Sequence, residues 1–212
     1  MNFIDLTHDI YDGMPAFTGD EPLSLKQTHS IPVNGYSNYK LITGLHIGTH
    51  IDSPAHFLEG GIRINELELS NLCGKACLLD ARGLNVIDMS VIPAEQIPEG
   101  TIVVICTGYY RNFGKDSYYH DYPCLDIELC NYLISRKVKM VCLDTPSPDK
   151  PPYQLHPVLF GAGITIVENL TNTESLLNIS DFDIYALPLK IKSDGSPLRI
   201  IAQYDKVPAL ST

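Results

Sequence analysis

The chain is a succession of short apolar runs, rich in β-branched residues, which alternate with segments that contain glycine and proline. Runs of roughly four to eight such residues are typical of β-strands, whereas helices need apolar residues three and four apart over a longer stretch. The pattern predicts strands at residues 3–7, 41–52, 75–80, 101–107, 138–143, 164–167, 183–189 and 198–203.

Helical periodicity is confined to two segments. Residues 125–137 place leucines four apart along one side and end in a basic pair, which predicts a helix. Residues 64–72 predict a shorter one. Strands therefore outnumber helices, and a length of 212 residues suits one domain, 1–212, of mixed α/β class.

Two loops carry unusual side chains. Residues 13–22 contain two glycines and two prolines around Met14, Phe17 and Asp20, and such an apolar loop is either a packed surface loop or a pocket wall. Residues 109–123 are rich in tyrosine and show little periodicity. Because long loops usually have a function or are disordered, the aromatic content predicts an ordered loop here.

Charge and composition exclude several classes of protein. The formal net charge of −10 disfavours a nucleic acid or an anionic membrane as partner. No apolar run reaches the roughly 18 residues that a membrane helix requires, and the N-terminus lacks the pattern of a signal peptide. The six cysteines form no C-x-x-C pair, so we interpret them as reduced thiols of a cytoplasmic protein.

One polar stretch, residues 45–57, stands out from this background. It places three of the seven histidines and one carboxylate within eleven residues. All four have even residue numbers, so they occupy alternate positions along the chain. Alternate residues of an extended chain point the same way, so one edge would present His46, His50, Asp52 and His56. The other edge would present residues 47, 49 and 51, which suit burial.

A helix is the alternative, since His46 and His50 are four residues apart, as in the zinc motif His-Glu-x-x-His. Gly48 between them and the proline at 54 disfavour it. In a straight strand the two histidines would lie about 13 Å apart, near the limit for sharing one ion. We therefore expect a bend at Gly48, where the missing side chain permits unusual dihedrals and makes room for an ion.

Imidazole nitrogens together with a carboxylate suit zinc, manganese or iron. The alternative is a polar strand edge whose histidines form local hydrogen bonds. The repeated spacing, with apolar residues on the opposite edge, favours the metal site. Two later residues, His156 and Glu168, are candidates for further ligands, although each also suits an ordinary position, Glu168 as a surface carboxylate at a strand end.

The run His46-Ile-Gly-Thr-His-Ile-Asp-Ser-Pro-Ala-His56 resembles the H-x-G-T-H-x-D-x-P-x-H pattern of the metal-dependent cyclase-like hydrolases. Bacterial kynurenine formamidases and isatin hydrolase are members of that family. The resemblance extends over nearly the whole chain and includes Thr107-Gly108, residues 141–147 and residues 168–172, in the family's order.

This resemblance implies a two-metal site, usually of zinc and sometimes of manganese. The implied ligands are His46, His50 and Asp52 for one ion, and Asp52, His156 and Glu168 for the other, with Asp52 bridging and Glu168 shared. His56 would not be a ligand but the general acid and base. The implied fold is a swivelling β/α/β arrangement, and the implied assembly is a homodimer or homotetramer.

The implied activity is hydrolysis of N-formylkynurenine to kynurenine and formate, a step of tryptophan catabolism. Formamidases of the family carry a Trp-Pro-Gly-Asp turn whose tryptophan touches the aromatic substrate. Here the turn begins at Phe17, and the chain has no tryptophan, but Phe17 can also stack on an aryl ring. The alternatives are hydrolysis of another amide or lactam, as in isatin hydrolase, and a non-catalytic metal-binding protein on the same scaffold.

Overall fold

A computed structural model describes residues 1–115 and 117–205. The expectation that 1–212 form one domain extends to residues 206–212, which lie outside the described part. The strands are β1 Asn2–Asp5, β2 Ser24–His29, β3 Asn38–Ile42, β4 His50–Asp52, β5 Cys73–Asp80, β6 Val86–Ile87, β7 Ile102–Cys106, β8 Cys124–Leu125, β9 Met140–Leu143, β10 Thr165–Glu168, β11 Phe182–Pro188 and β12 Gly195–Tyr204. The α-helices are α1 Ile31–Asn34, α2 Leu69–Leu72, α3 Ile127–Ser135 and α4 Leu155–Gly161.

Seven strands close into a barrel-like ring in the order β12-β11-β5-β7-β9-β10-β4, and β4 pairs again with β12. The closure is possible because β12 is ten residues long: its start pairs with β4, and its end pairs with β1. The strands β5, β7, β9 and β10 run parallel. The helices α3 and α4 lie in the connections between β7 and β9 and between β9 and β10.

Alternation along the strands divides the core into two layers. Ile102 and Val104 belong to a cluster to which all seven ring strands contribute and which fills the ring's interior. Val103 and Ile105 belong to a second cluster, together with apolar residues of α3 and α4. The outer face of the parallel strands is thus covered by helices, as expected for strands that are apolar on both faces.

The same alternation places polar side chains of β4 and β10 on the outer face. Ile51 and Val167 belong to the interior cluster, so His50 and Glu168 point the other way. Their strands are antiparallel neighbours in a register that sets Glu168 opposite His50. The sheet therefore brings together a histidine and a carboxylate that are far apart in sequence.

The strand-rich α/β class is confirmed, and seven of the predicted strands agree with the observed ones to within about three residues at each end. The prediction of one strand over 41–52 is wrong. Residues 43–49 are irregular, and β3 pairs with β2 instead of continuing into β4. The predicted helix at 64–72 is reduced to a 3-10 turn, Ile64–Glu66, and the single turn α2. No helix was predicted where α4 lies.

Residues 24–42 form an arm made of β2, α1 and β3. Within the described part of the chain these two strands pair only with each other. Every residue from 31 to 42 is exposed, including large apolar side chains: Ile31, Val33, Tyr36, Tyr39, Leu41 and Ile42. Across the described residues, none of the helices has the length and apolar character that crossing a membrane demands.

Candidate metal centre

A cavity of about 280 Å³ opens on the outer face of β4 and β10. Its lining contains every site residue that the sequence analysis singled out: Phe17, His46, His50, Asp52, His56, His156 and Glu168. Four aromatic side chains also line it: Phe17, Phe57, Tyr119 and Tyr153.

The floor of the cavity is the β4–β10 pair. His50 Nε2 lies 3.4 Å from Asp52 Oδ1 and 3.3 Å from Glu168 Oε2. All three side chains are almost completely buried. Two carboxylates and an imidazole therefore converge at one point without leaving the sheet.

His46 reaches this point because the chain bends before β4. Gly48 has φ of +55°, so the predicted bend is confirmed, and His46 Nδ1 lies 2.6 Å from Asp52 Oδ1. The reason for the glycine differs from the expectation. A Cβ at Gly48 would lie 2.8 Å from Met14 Cε, so the space is occupied by a side chain of the loop 13–22 and not reserved for an ion.

His156 enters from α4. It is the second residue of that helix, and its Nε2 lies 3.5 Å from Glu168 Oε1. Its ring stacks on Phe57 at a centroid distance of 4.4 Å. Glu168 thus lies between His50 on β4 and His156 on α4.

Each of these three imidazoles has its other nitrogen held by an oxygen outside the cluster. His50 Nδ1 lies 2.8 Å from the Gly48 carbonyl, His156 Nδ1 lies 2.7 Å from Asp149 Oδ1, and His46 Nε2 lies 3.0 Å from Asp194 Oδ2. Metal-binding histidines almost always have such a partner, which fixes the tautomer and turns the lone pair toward the ion.

The charges of the cluster favour cations. Burial opposes protonation of His46, but the hydrogen bonds and charges of Asp52 and Asp194 raise its pKa to about 9. Burial likewise opposes protonation of His156, but Asp149 and Glu168 raise its pKa to about 9. Although burial disfavours its ionisation, Asp52 has its pKa held well below the usual range by the surrounding histidines.

Two buried atoms, His50 Nε2 and Glu168 Oε1, make no hydrogen bond with any residue that the structure describes. A buried polar atom without a hydrogen bond lowers the stability of the folded state. Both of these atoms point toward the other ligand candidates. Nitrogen and carboxylate donors suit zinc and manganese. The residues present therefore fit a divalent metal site.

His56 lies beside this cluster, at the end of a 3-10 turn that follows β4. Its ring stacks on His46 at 4.0 Å, and its Nδ1 lies 3.0 Å from Asp194 Oδ2. Burial disfavours the charged ring and lowers the pKa of His56 below its ordinary value, although the charge of Asp52 opposes the shift. Its ring nitrogens are also close enough to His46 and Asp52 for all three to hold one ion, so its position permits a ligand role as well.

Aromatic rings from two loops form the cavity's wall. Phe17 meets Tyr119 edge-on at a centroid distance of 5.4 Å, and Tyr119 OH donates to the Pro15 carbonyl at 3.2 Å. The loop 13–22 is therefore a pocket wall, which was one of its two interpretations. Tyr153 and Phe57 also line the cavity.

Sequence reasoning did not identify Asp149 or Asp194 as site residues. Asp149 lies in the irregular segment between β9 and α4, and Asp194 directly precedes β12. Each is far in sequence from the run at 45–57. A polar residue in a turn gives no local signal of a histidine partner, so only the fold reveals these contacts.

Comparison with known proteins adds a family. The family described as Putative cyclase matches residues 4–150. The chain is 29% identical to the kynurenine formamidase of Geobacillus thermodenitrificans over 202 residues, which cover 93% of this chain and 95% of that protein. It is 27% identical to the kynurenine formamidase of Bacillus cytotoxicus over 204 residues, which cover 94% and 96%.

Solved structures share the fold. Isatin hydrolase A from Labrenzia aggregata, bound to benzyl benzoate, superposes with a TM-score of 0.84 at 23% identity and covers 95% of this chain and 93% of its own. A potential metal-dependent hydrolase with cyclase activity superposes with a TM-score of 0.76 at 26% identity and covers 95% and 96%.

Proposed function

The chain belongs to the cyclase family and is a hydrolase of amide bonds, and from that premise we propose that it is an arylformamidase, which converts N-formylkynurenine to kynurenine and formate. The observation that carries the proposal is the cavity in which five ligand candidates and His56 converge beneath an aromatic wall. The names of the formamidase relatives support the choice of substrate.

We assign the five ligand candidates to two divalent ions, zinc first and manganese as the alternative. In this assignment His46, His50 and Asp52 would hold one ion, and Asp52, His156 and Glu168 would hold the other. When bound, such ions lower the pKa of a water molecule and stabilise negative charge on a carbonyl oxygen.

His56 moves the proton. Its Nδ1 is held by Asp194, so its Nε2 is the nitrogen available to the cavity. In the reaction, water adds to the formyl carbon, and the bond from that carbon to the aryl nitrogen breaks. His56 takes the proton of the water and gives it to the departing amine, as a general base and then a general acid.

The aromatic wall positions the substrate. Phe17 and Tyr119 meet edge-on and can pack against an aryl ring, whose burial contributes binding energy beyond that of the formyl group.

The second candidate function is hydrolysis of another amide or lactam. The absence of a tryptophan at the formamidase turn favours it, because the wall is smaller there. The third candidate function is that of a non-catalytic metal-binding protein. Such a protein would not require His56, which is hydrogen-bonded to Asp194 beside the ligand candidates.

We also propose that the protein is cytoplasmic and forms a homodimer or homotetramer. The arm supports self-association, since an isolated two-stranded hairpin with exposed apolar side chains has little stability in water. The arm contains Lys26 and Lys40 and no acidic residue, whereas the chain as a whole has a net charge of −10. A second copy offers the acidic surface that complements the arm.

The direct experiment is an assay of purified protein, supplied with zinc or manganese, on N-formylkynurenine and on isatin. Arylformamidase activity predicts release of kynurenine that is lost in His56→Ala. Opening of isatin without release of kynurenine would favour the second candidate. Uptake of metal without turnover of either substrate would contradict arylformamidase activity.

A further inference from the structure

Asp194 joins two histidines to which the proposed function gives different roles. Its Oδ2 lies 3.0 Å from His46 Nε2 and 3.0 Å from His56 Nδ1. His46 is a ligand candidate, and His56 is the proposed acid and base. One carboxylate oxygen therefore contacts both a metal ligand and the group that moves the proton.

The backbone holds Asp194 in this place. Its carbonyl accepts hydrogen bonds from Ser53 N at 2.8 Å and from Ser53 Oγ at 2.9 Å. Ser53 directly follows Asp52, so the turn that carries Asp194 is tied to the strand that carries two ligands. At the next residue, Gly195, a Cβ would lie 2.4 Å from His46 Cε1, so the close approach requires glycine.

The contacts decide which nitrogen of each ring carries a proton. A carboxylate accepts hydrogen bonds only, so its partners must be N–H groups. Asp194 therefore favours a proton on Nε2 of His46. The other nitrogen, Nδ1, lies 2.6 Å from Asp52 Oδ1, and it is the one that would lose its proton to the solvent when a cation binds beside Asp52. Asp194 also favours a proton on Nδ1 of His56, which leaves Nε2 free to face the cavity.

We propose that Asp194 is a positioning residue that fixes the tautomers of His46 and His56 together, the first for metal binding and the second for proton transfer. This role rests on the proposed function. The ordinary alternative is an acidic turn residue that happens to lie near two histidines; its side chain is 43% exposed, and most exposed contacts of this kind contribute little.

The test compares Asp194→Ala, Asp194→Asn and the control Asp181→Ala, which removes an exposed aspartate paired with Lys75. Zinc affinity is measured by competition with a chromophoric chelator. We expect about a 10- to 100-fold loss of affinity in Asp194→Ala, because loss of such outer partners has this effect, and a smaller loss in Asp194→Asn, whose amide oxygen still accepts. Unchanged affinity in Asp194→Ala would overturn the proposal.

A second measurement needs no variant. In the zinc-loaded wild-type protein, ¹⁵N NMR of the imidazole nitrogens reports which one is protonated. We expect Nε2–H for His46 and Nδ1–H for His56, and the opposite tautomer in either ring would overturn the proposal. Neither readout involves substrate, so a failure of the arylformamidase assay leaves both results interpretable.

Kinetics on the metal-saturated protein complete the comparison. Since His56 acts in the chemical step, we expect kcat of Asp194→Ala to fall about tenfold or more while KM changes little. Asp181→Ala should match the wild type in both constants. A rise in KM at unchanged kcat would contradict the positioning of His56.

Discussion

Asp149 Oδ1 lies 2.7 Å from His156 Nδ1, and both side chains are buried. The other oxygen, Oδ2, accepts a hydrogen bond from the backbone N of Leu155 at 2.5 Å. Asp149 therefore fixes the start of α4 and the orientation of the ring that the helix carries. Its effect is to turn His156 Nε2 toward Glu168.

The first prediction concerns this contact. Asp149→Asn keeps the shape of the side chain but replaces a charged acceptor by a weaker neutral one. We expect one of the two ions to bind about 10- to 100-fold more weakly, while the other is little changed. Isothermal titration calorimetry of zinc into the metal-free protein measures the affinities of both sites. The control is Asp181→Asn, a change at an exposed aspartate. Two sites of wild-type affinity would show that Asp149 has no such role.

The second prediction concerns the aromatic wall. Phe17→Ala removes a ring that lines the cavity and contacts Tyr119, so we expect KM for N-formylkynurenine to rise about tenfold, equivalent to about 1.4 kcal/mol of lost contact. Phe17→Trp should retain the wild-type value or lower it. The control is Phe3→Ala on β1, where the ring is exposed. Equal KM values in all four proteins would exclude Phe17 from the substrate site.

The third prediction concerns the arm. Val33 is 81% exposed, and a charge there would be buried if the arm packs against the surface of a second copy. We expect the wild type to sediment as a dimer or tetramer and Val33→Asp as a smaller species with unchanged circular dichroism. Leu69→Asp, at a comparably exposed position on α2, is the control. A monomeric wild type would contradict the proposed assembly.

Local pattern was sufficient for six of the seven strands of the ring and for part of the site. Residues 102–106 are apolar at every position because the strand is buried on both faces, and such a run is visible without the fold. His46, His50, Asp52 and His56 share one short run, so their proximity follows from spacing. The prediction that His156 and Glu168 are ligands rests on the family resemblance.

The rest depended on tertiary contacts. The helix α4 has seven residues, its N-cap Gln154 makes no capping hydrogen bond, and Pro157 interrupts the pattern, so periodicity could not reveal it. Asp194 is separated from His46 by 148 residues, and closure of the ring brings them together. The strand predicted over 41–52 includes the end of the arm, because Leu41 and Ile42 are exposed but apolar, like residues of a buried strand.

The fourth prediction separates the two roles that geometry permits for His56. If His56 is the acid and base, His56→Ala retains the wild-type metal content and loses most turnover, by roughly 10²- to 10⁴-fold. If it is a ligand with His46 and Asp52, the variant is purified with less metal. Elemental analysis and the kynurenine assay on the same preparation distinguish these outcomes.

In the proposed centre five side chains hold a pair of cations, and Asp52 belongs to both sites. The decisive measurement is the metal content per chain of Asp52→Ala, determined by elemental analysis after saturation with zinc and gel filtration. We expect two ions in the wild type and none in the variant. A variant that retains both ions would contradict this arrangement.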